Sequence, residues 1–439
     1  MRAKLNFILL LLVALILSGC MLTVDQMYCL PKRSETYTNL QSAIDEAMEG
    51  LSYCAPLSGE NQQSVQIADL NGDGKSEYLL FAKSNQEEKP LRILVFHNND
   101  GIMQNTDVLE CSGSAFDQVE YVDLDGKGGV EIIVGRQVSN QVTRSASVYT
   151  LTDGEMMQLL TVNYTKFLTV DLNEDSFREL FVLQPGQTDA DNGIAELYSM
   201  QSGAIERYNE VNMSSPVDQL KRIIIGKIDG GQAAVYTASA VGDTALITDV
   251  YILKDERFVN VSLSDGSDTS VQTLRNFYVY ANDIDNDSVV ELPRLMAMKG
   301  KTPGENDSDD HLICWYAVSA DGMEVEKLHT YHNFVGGWYM RLDGDWAERV
   351  SVVNNSNAYA FYIWDKTGSA SEKVVTIYAL SGQNRETQAT AEGIVELYKT
   401  DTVVYAALLE DCAEAYGLNE NVIKNSFRLI QQEWKTGET

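Results

Sequence analysis

An all-β chain arranged as a β-propeller is what this sequence predicts, and three observations predict it. Short oxygen-rich stretches recur: DLNGDGKSE at 69–77, DLDGKGGVE at 123–131, DLNEDSFRE at 171–179 and DIDNDSVVE at 283–291. With two weaker copies, KIDGGQAAV at 227–235 and RLDGDWAER at 341–349, they begin at positions 69, 123, 171, 227, 283 and 341. A step of roughly 50 to 60 residues marks blades, solenoid turns or arrays. Between the copies lie short apolar–polar alternations rich in β-branched and aromatic residues, which read as strands of about six residues. Finally, no Pro/Gly/Ser-rich linker divides the chain, so one large repeat domain over 63–410 is favoured. Three or four strands per period fit one propeller sheet, and six loop positions favour six blades. The strand-like TVVYAALLED at 402–411 leaves seven open.

The elements follow in order. Arg2 and Lys4 precede an apolar run from Phe7 to Leu17, too short and wrongly flanked for a membrane span and shaped like a secretory signal over 1–19. Its end, Leu17-Ser18-Gly19-Cys20, resembles a bacterial lipobox, which implies cleavage before Cys20 and lipid on its thiol. Several acyl chains at about 0.8 kcal/mol per buried methylene anchor a protein firmly. The expected location is the outer face of the bacterial cytoplasmic membrane, with the membrane as a partner through that lipid. In the segment 20–62, NLQSAIDEAMEGL places Leu40, Ile44, Ala47 and Leu51 on one helix face, with Asn39 as cap and Gly50 as stop. After the first acidic stretch, EYLLFA, LRILVFH, the polar turn NNDG and QVEYVDL read as strand, strand, turn and strand. In the segment 411–439, Ile423, Phe427, Ile430 and Trp434 repeat at helical spacing after Asn419.

Composition narrows the function. The formal net charge of −31 repels nucleic acid and anionic head groups and favours cations. Besides Cys20, five scattered cysteines (Cys29, Cys54, Cys111, Cys314, Cys412) show no zinc-like spacing. Cys29 and Cys54 are the one close pair, and their pairing stays open.

The acidic stretches carry the chemistry. In the first, Asp69, Asn71 and Asp73 alternate around Gly72 and Gly74, and Glu77 returns at the ninth position. Hard oxygen ligands without nitrogen or sulfur suit Ca²⁺ and argue against zinc. Two carboxylates about 4 Å apart repel by roughly 4 kcal/mol at an effective dielectric of 20, so a crowded turn needs a cation. The same positions are Asp123, Asp125 and Glu131 in the second copy, Asp171, Asn173, Asp175 and Glu179 in the third, and Asp283, Asp285, Asp287 and Glu291 in the fifth. Three or four structural Ca²⁺ sites are expected. The weakened copies each hold a basic residue at a ligand position: Lys127, Lys227 and Arg341. Each is expected to replace part of a metal's charge by pairing with the remaining carboxylates.

These loops and their flanking strands resemble the FG-GAP/VCBS-type repeat family, with blades of the kind found in integrin α subunits, over residues of about 63–410. The lipobox Cys20 and the closing EWKTGET also resemble bacterial propeller lipoproteins. The resemblance implies a propeller of six or seven blades and says nothing specific about a ligand.

No catalytic fingerprint appears among GxSxG, HExxH, P-loop or dinucleotide motifs. The pair His329 and His332 in HTYH sits in a turn-and-strand context. Trp338 and Tyr339 in GGWYM are candidate ligand-binding aromatics that must face opposite sides of a strand. The sequence therefore favours a non-catalytic cell-surface binding module for a protein or glycan, with no nucleic-acid partner. The alternatives are a polysaccharide lyase or hydrolase on a propeller scaffold, or a structural subunit of an envelope complex.

Overall fold

Six antiparallel sheets follow one another among the described residues. The computed structural model describes residues 35–85, 88–99, 102–138, 144–188, 191–264, 269–299, 310–342 and 346–430. The signal segment, Cys20, Cys29 and Trp434 lie outside the described residues, as does the turn that follows Arg341.

The first sheet holds β1 (Leu51–Tyr53), β2 (Val65–Ala68), β3 (Glu77–Ser84), β4 (Leu91–Asn99) and β5 (Ile102–Cys111), with β1 and β2 both pairing β3. The second runs β6 (Ala115–Val122), β7 (Glu131–Gln137), β8 (Arg144–Thr152) and β9 (Glu155–Tyr164) in order. The third is β10 (Lys166–Val170), β11 (Glu179–Gln184), β12 (Ile194–Gln201) and β13 (Ala204–Asn212). The fourth is β14 (Leu220–Lys227), β15 (Ala233–Val241), β16 (Ala245–Lys254) and β17 (Arg257–Asn260). The fifth, β18 (Leu292–Met296), β19 (Asp310–Val318), β20 (Glu324–Asn333) and β21 (Trp338–Leu342), gains the late strand β27 (Phe427–Leu429) on its edge. The sixth, β22 (Val350–Asn355), β23 (Ala358–Trp364), β24 (Ser371–Ser381), β25 (Ile394–Lys399) and β26 (Val403–Leu409), places β26 between β24 and β25. The run at 402–411 is thus an inner strand of the sixth sheet. Strands from outside 63–410 complete the first and fifth sheets.

By contact density the chain divides into two compact units. One holds the described part of Met1–Tyr121 with Gly128–Asn140 and Tyr149–Met157; the other holds Val122–Lys127, Gln141–Val148 and Gln158–Thr439.

Middle strands read as near-continuous apolar runs because they are covered on both faces. In the first unit, Leu79, Phe81, Ile93 and Val95 pack against Phe116, Val119, Ile132 and Val134 of the next sheet. In the second, Phe181, Leu183 and Leu197 meet Val235, Tyr251 and Phe258, and Leu312, Tyr331 and Trp338 meet Val352, Phe361 and Val375. Fully burying each such side chain contributes about 1.5–3 kcal/mol. Outer strands such as β5 alternate between exposed and buried positions instead.

Both predicted helices form, with altered ends. Helix α1 (Glu35–Ala47) starts before Asn39, so Asn39 is an interior residue and not a cap. Its stripe meets the first sheet as expected: Ile44 is buried against Leu80, Ala82, Leu94 and Phe96, flanked by Leu40, Ala47 and Leu51. Gly50 ends it with φ 79°. A short α2 (Arg385–Ala389) precedes β25. In α3 (Glu420–Ser426), the Asn419 side chain accepts from Asn421 N and Val422 N. The helix then stops, and Phe427 enters β27, where it pairs with Met340. The helical spacing is therefore corrected: Phe427 stays buried as a strand residue, stacked on Trp338 at 5.4 Å. No described helix is long and apolar enough to cross a membrane.

Candidate metal centres and a polar cleft

The acidic turns at 69–77, 123–131 and 171–179 join β2 to β3, β6 to β7 and β10 to β11, the turn at 283–291 leads into β18, and these four good copies share one backbone form. Positive φ falls at the fourth and sixth positions: Gly72 and Gly74, Gly126 and Gly128, Glu174 and Ser176, Asn286 and Ser288. Gly72 and Gly126 are required as glycines by crowding too. A Cβ on Gly72 would meet Gly129 N at 2.7 Å, and one on Gly126 would strike the Phe177 ring at 2.5 Å. Glu174, Ser176, Asn286 and Ser288 adopt the same conformation at a steric cost, which persists only where the surroundings impose it.

The side chains repeat as well. The first-position carboxylate accepts backbone N–H groups across the turn: Asp69 from Gly72 (2.8 Å) and Gly74 (2.9 Å), Asp171 from Ser176 (3.0 Å), Asp283 from Asp287 (3.0 Å) and Ser288 (2.9 Å). The fifth-position carboxylate accepts from two residues on: Asp73 from Lys75 N, Asp175 from Phe177 N and Asp287 from Val289 N. Asn71 and Asn173 accept from Asp73 N and Asp175 N, each at 2.9 Å. The ninth-position glutamate, which opens the next strand or, for Glu291, stands just before it, turns inward and accepts from the second residue of the turn: Glu77 from Leu70 N (2.8 Å), Glu179 from Leu172 N (2.8 Å) and Glu291 from Ile284 N (3.0 Å).

These glutamates are buried, and burial penalises their charge. Glu179 is pushed up to about 7 by burial, with Asp175 and Asp171 adding to the rise against the Leu172 amide. Glu291 is pushed up to about 8 by burial, with Asp285, Asp287 and Asp283 adding to the rise against the Ile284 amide. Glu291 Oε1, Asp285 Oδ1 and Asp171 Oδ1 are buried without a hydrogen-bond partner. Carboxylate oxygens of Asp283, Asp285 and Asp287 all lie within 4.8 Å of one another. Oxygen-only donors, crowded and short of positive charge, fit Ca²⁺.

The other copies differ. In the first, His97 Nδ1 approaches Glu77 Oε1 at 2.9 Å. In the second, the chain divides between its compact units: Asp123 and Asp125 belong to one and Glu131 to the other. Asp123 Oδ1 accepts from Asp125 N and Gly126 N, Lys127 pairs with Asp125 at 2.7 Å as expected, and buried Glu131 accepts from Thr150 Oγ1 at 3.2 Å. The copy beginning at Lys227 is corrected. Its β15 starts at Ala233, six residues after Lys227, against eight from the first position to the next strand in the first three copies and nine in the fifth, so it is a different and shorter turn. The partner of Asp229 is Lys327 of β20, at 2.6 Å, and not Lys227.

Neighbouring turns touch. Val130 N donates to Asp69 O at 3.2 Å, Ala233 N to Glu174 Oε1 at 3.1 Å, and Lys227 N to Ser288 O at 3.2 Å.

The aromatic candidates fail as a surface. Trp338 is 0% and Tyr339 8% exposed. They do face opposite sides of β21: Trp338 packs with Tyr331, Tyr359 and Phe427, and Tyr339 stacks on buried His332 at 4.9 Å. Strands β20 and β27 flank β21 and both its faces are covered, so adjacent aromatics there have no route to solvent. Phe177, in the third turn, is exposed, as are Tyr53 and Tyr398 elsewhere. It borders a cleft of ≈ 820 Å³ lined also by Lys127, Asp175, Arg178, Glu206 and Tyr208. Cys54, Cys111, Cys314 and Cys412 carry free thiols.

No protein family matches this sequence, and no curated protein matches it either. Among solved structures it is similar to the rhamnogalacturonan lyase YesW, at 12% identity and TM-score 0.31, over 82% of this chain and 72% of that one. A Bacillus licheniformis rhamnogalacturonan lyase matches at 11% identity and TM-score 0.32 over the same shares. An exo-β-1,3-galactanase from Phanerochaete chrysosporium matches at 9% identity and TM-score 0.24, over 76% and 80%. These neighbours overturn the expectation that the chain is not an enzyme. They are named as rhamnogalacturonan lyases and an exo-β-1,3-galactanase. At such scores the likeness assigns no activity to it.

Proposed function

We propose that this chain is a surface-tethered, calcium-stapled protein that engages a glycan in the cleft beside its third acidic turn. The observation that carries this reading is the set of buried glutamates closing oxygen-lined turns, with Asp285 Oδ1 and Glu291 Oε1 left without partners. A calcium ion supplies the missing charge, and each filled turn pins the start of one strand. Millimolar calcium outside cells makes weak sites sufficient. In this reading the sheets are six blades of a ring of the FG-GAP/VCBS type, and lipid on Cys20 holds the ring at the outer face of the membrane.

The cleft shares residues with the metal turns. Asp125, Asn173, Asp175 and Glu179 line it together with Phe177. A polar cleft with the aromatic rings of Phe177 and Tyr208 in its lining suits a polyhydroxylated ligand, whose rings stack while its hydroxyls meet charged groups. Calcium and ligand binding are then thermodynamically linked, because filling the turn sets the cleft wall. Cleavage of the bound polymer is the second reading, favoured by the five carboxylates of the lining: Asp125, Asp175, Glu179, Glu206 and Glu256.

A glycan panel probed with the calcium-loaded protein tests both. Binding that is lost in Phe177→Ala and in chelator supports the proposal, and release of shortened products that stops in Glu206→Gln establishes cleavage. Binding indifferent to Phe177→Ala removes the cleft from the account.

A further inference from the structure

A thiol, an imidazole and a carboxylate, none of them part of an acidic turn, meet on the fifth sheet. Cys314 of β19 lies directly opposite His329 of β20. Glu326 stands three residues before His329, a spacing that sends side chains to opposite faces of a regular strand. The register slips between Trp315 and Tyr316, so that Leu328 and Glu326 pair with consecutive residues of β19. This bulge turns Glu326 onto the face of Cys314 and His329. One donor atom from each of the three lies within 4.8 Å of the other two.

The distances fit a metal better than a hydrogen bond. His329 Nε2 and Glu326 Oε1 stand 3.5 Å apart, and Nε2 is buried without a hydrogen-bond partner. Two light ligands at about 2.1 Å from one tetrahedral zinc are roughly 3.4 Å from each other. Burial pushes the Cys314 thiol up to about 11, with Glu326 adding to the rise. Arg294, opposite Cys314 on β18 and held by Glu324, acts the other way without reversing it, so it is the placement of the three donors that marks the site. We propose that Cys314, Glu326 and His329 form a site for a borderline-soft divalent cation of the zinc class, with solvent in the fourth position. Sulfur and nitrogen donors make it chemically distinct from the oxygen-only calcium turns, and it stands whether or not those turns bind calcium.

The test is a zinc chloride titration of the full chain in excess calcium, read by metal analysis after dialysis. A parallel cobalt titration is read by thiolate-to-cobalt charge-transfer absorption. The expected result is one zinc per chain, with the cobalt band absent in Cys314→Ser. Because Cys314 is buried, Glu326→Gln provides the second arm: its side chain is 57% exposed. That variant is expected to melt like the parent while binding zinc at least ~10-fold more weakly, the minimum cost of losing even an outer-shell partner. Zinc binding unchanged in both variants, or no zinc bound by the parent, overturns the assignment.

Discussion

The turns beginning at Asp283 and Lys227 occupy the same place in successive repeats and settle their charge in opposite ways. The first gathers three aspartates around buried Glu291, whose Oε1 finds no partner. The second reaches its next strand three residues sooner, keeps one aspartate and pairs it with Lys327 at 2.6 Å. Yet the two turns touch, with Lys227 N donating to Ser288 O and Lys227 O accepting from Val290 N at 2.9 Å. A side-chain ammonium closes a short turn permanently, whereas a carboxylate-rich turn needs a cation from solution. On the proposed reading, calcium sets the stability of the carboxylate-rich turn.

Glu291→Gln should produce the largest break in this contrast. At calcium 100 times the dissociation constant, one site contributes about 2.7 kcal/mol. Denaturant unfolding should show the variant losing that calcium-dependent gain. In chelator the sign reverses. The folded pKa of about 8 exceeds the ordinary 4.5, so the folded state holds a proton that the unfolded chain has released. The stability this contributes is complete below about 4.5 and is lost as pH rises through about 8. The glutamine variant lacks this slope and should outlast the parent in chelator above pH 8. A variant that is weaker in both conditions would break the comparison.

Lys127→Asp tests the intermediate case, a turn already holding Asp123 and Asp125 with a lysine in the fifth position. Calorimetry should find one additional calcium, and unchanged stoichiometry would mean that Lys127 was not standing in for metal. The smallest effect is expected from Lys327→Met, which removes a half-exposed ion pair worth about 0–1 kcal/mol. Because Lys327 also acts on Asp287 and Glu291, that loss should be larger in chelator than in calcium. An identical loss in both would confine Lys327 to its pair with Asp229.

The repeat and the strands were legible in the sequence because both are local. Alternation, turn glycines and acidic spacing all act within ten residues, and α1 buries the stripe its spacing announces. What escaped depends on pairing at long range. His97 reaches Glu77 only because Tyr78 pairs with Phe96, bringing the two antiparallel neighbours together. Lys327 meets Asp229 across 98 positions. The shorter fourth turn was hidden because KIDGGQAAV keeps the leading motif and differs only in where the strand resumes. Trp338 and Tyr339 looked available because a strand pattern does not say whether one face or both are covered. Phe427 followed a helical spacing, but pairing with Met340 recruited it to β27.

Thermal unfolding of the full chain in chelator and in graded calcium bears most directly on the central claim. The account predicts a melting temperature several degrees lower without calcium, restored by calcium, and a stoichiometry of three or four ions per chain. Superimposable melts in chelator and calcium, with no heat of binding, would contradict it.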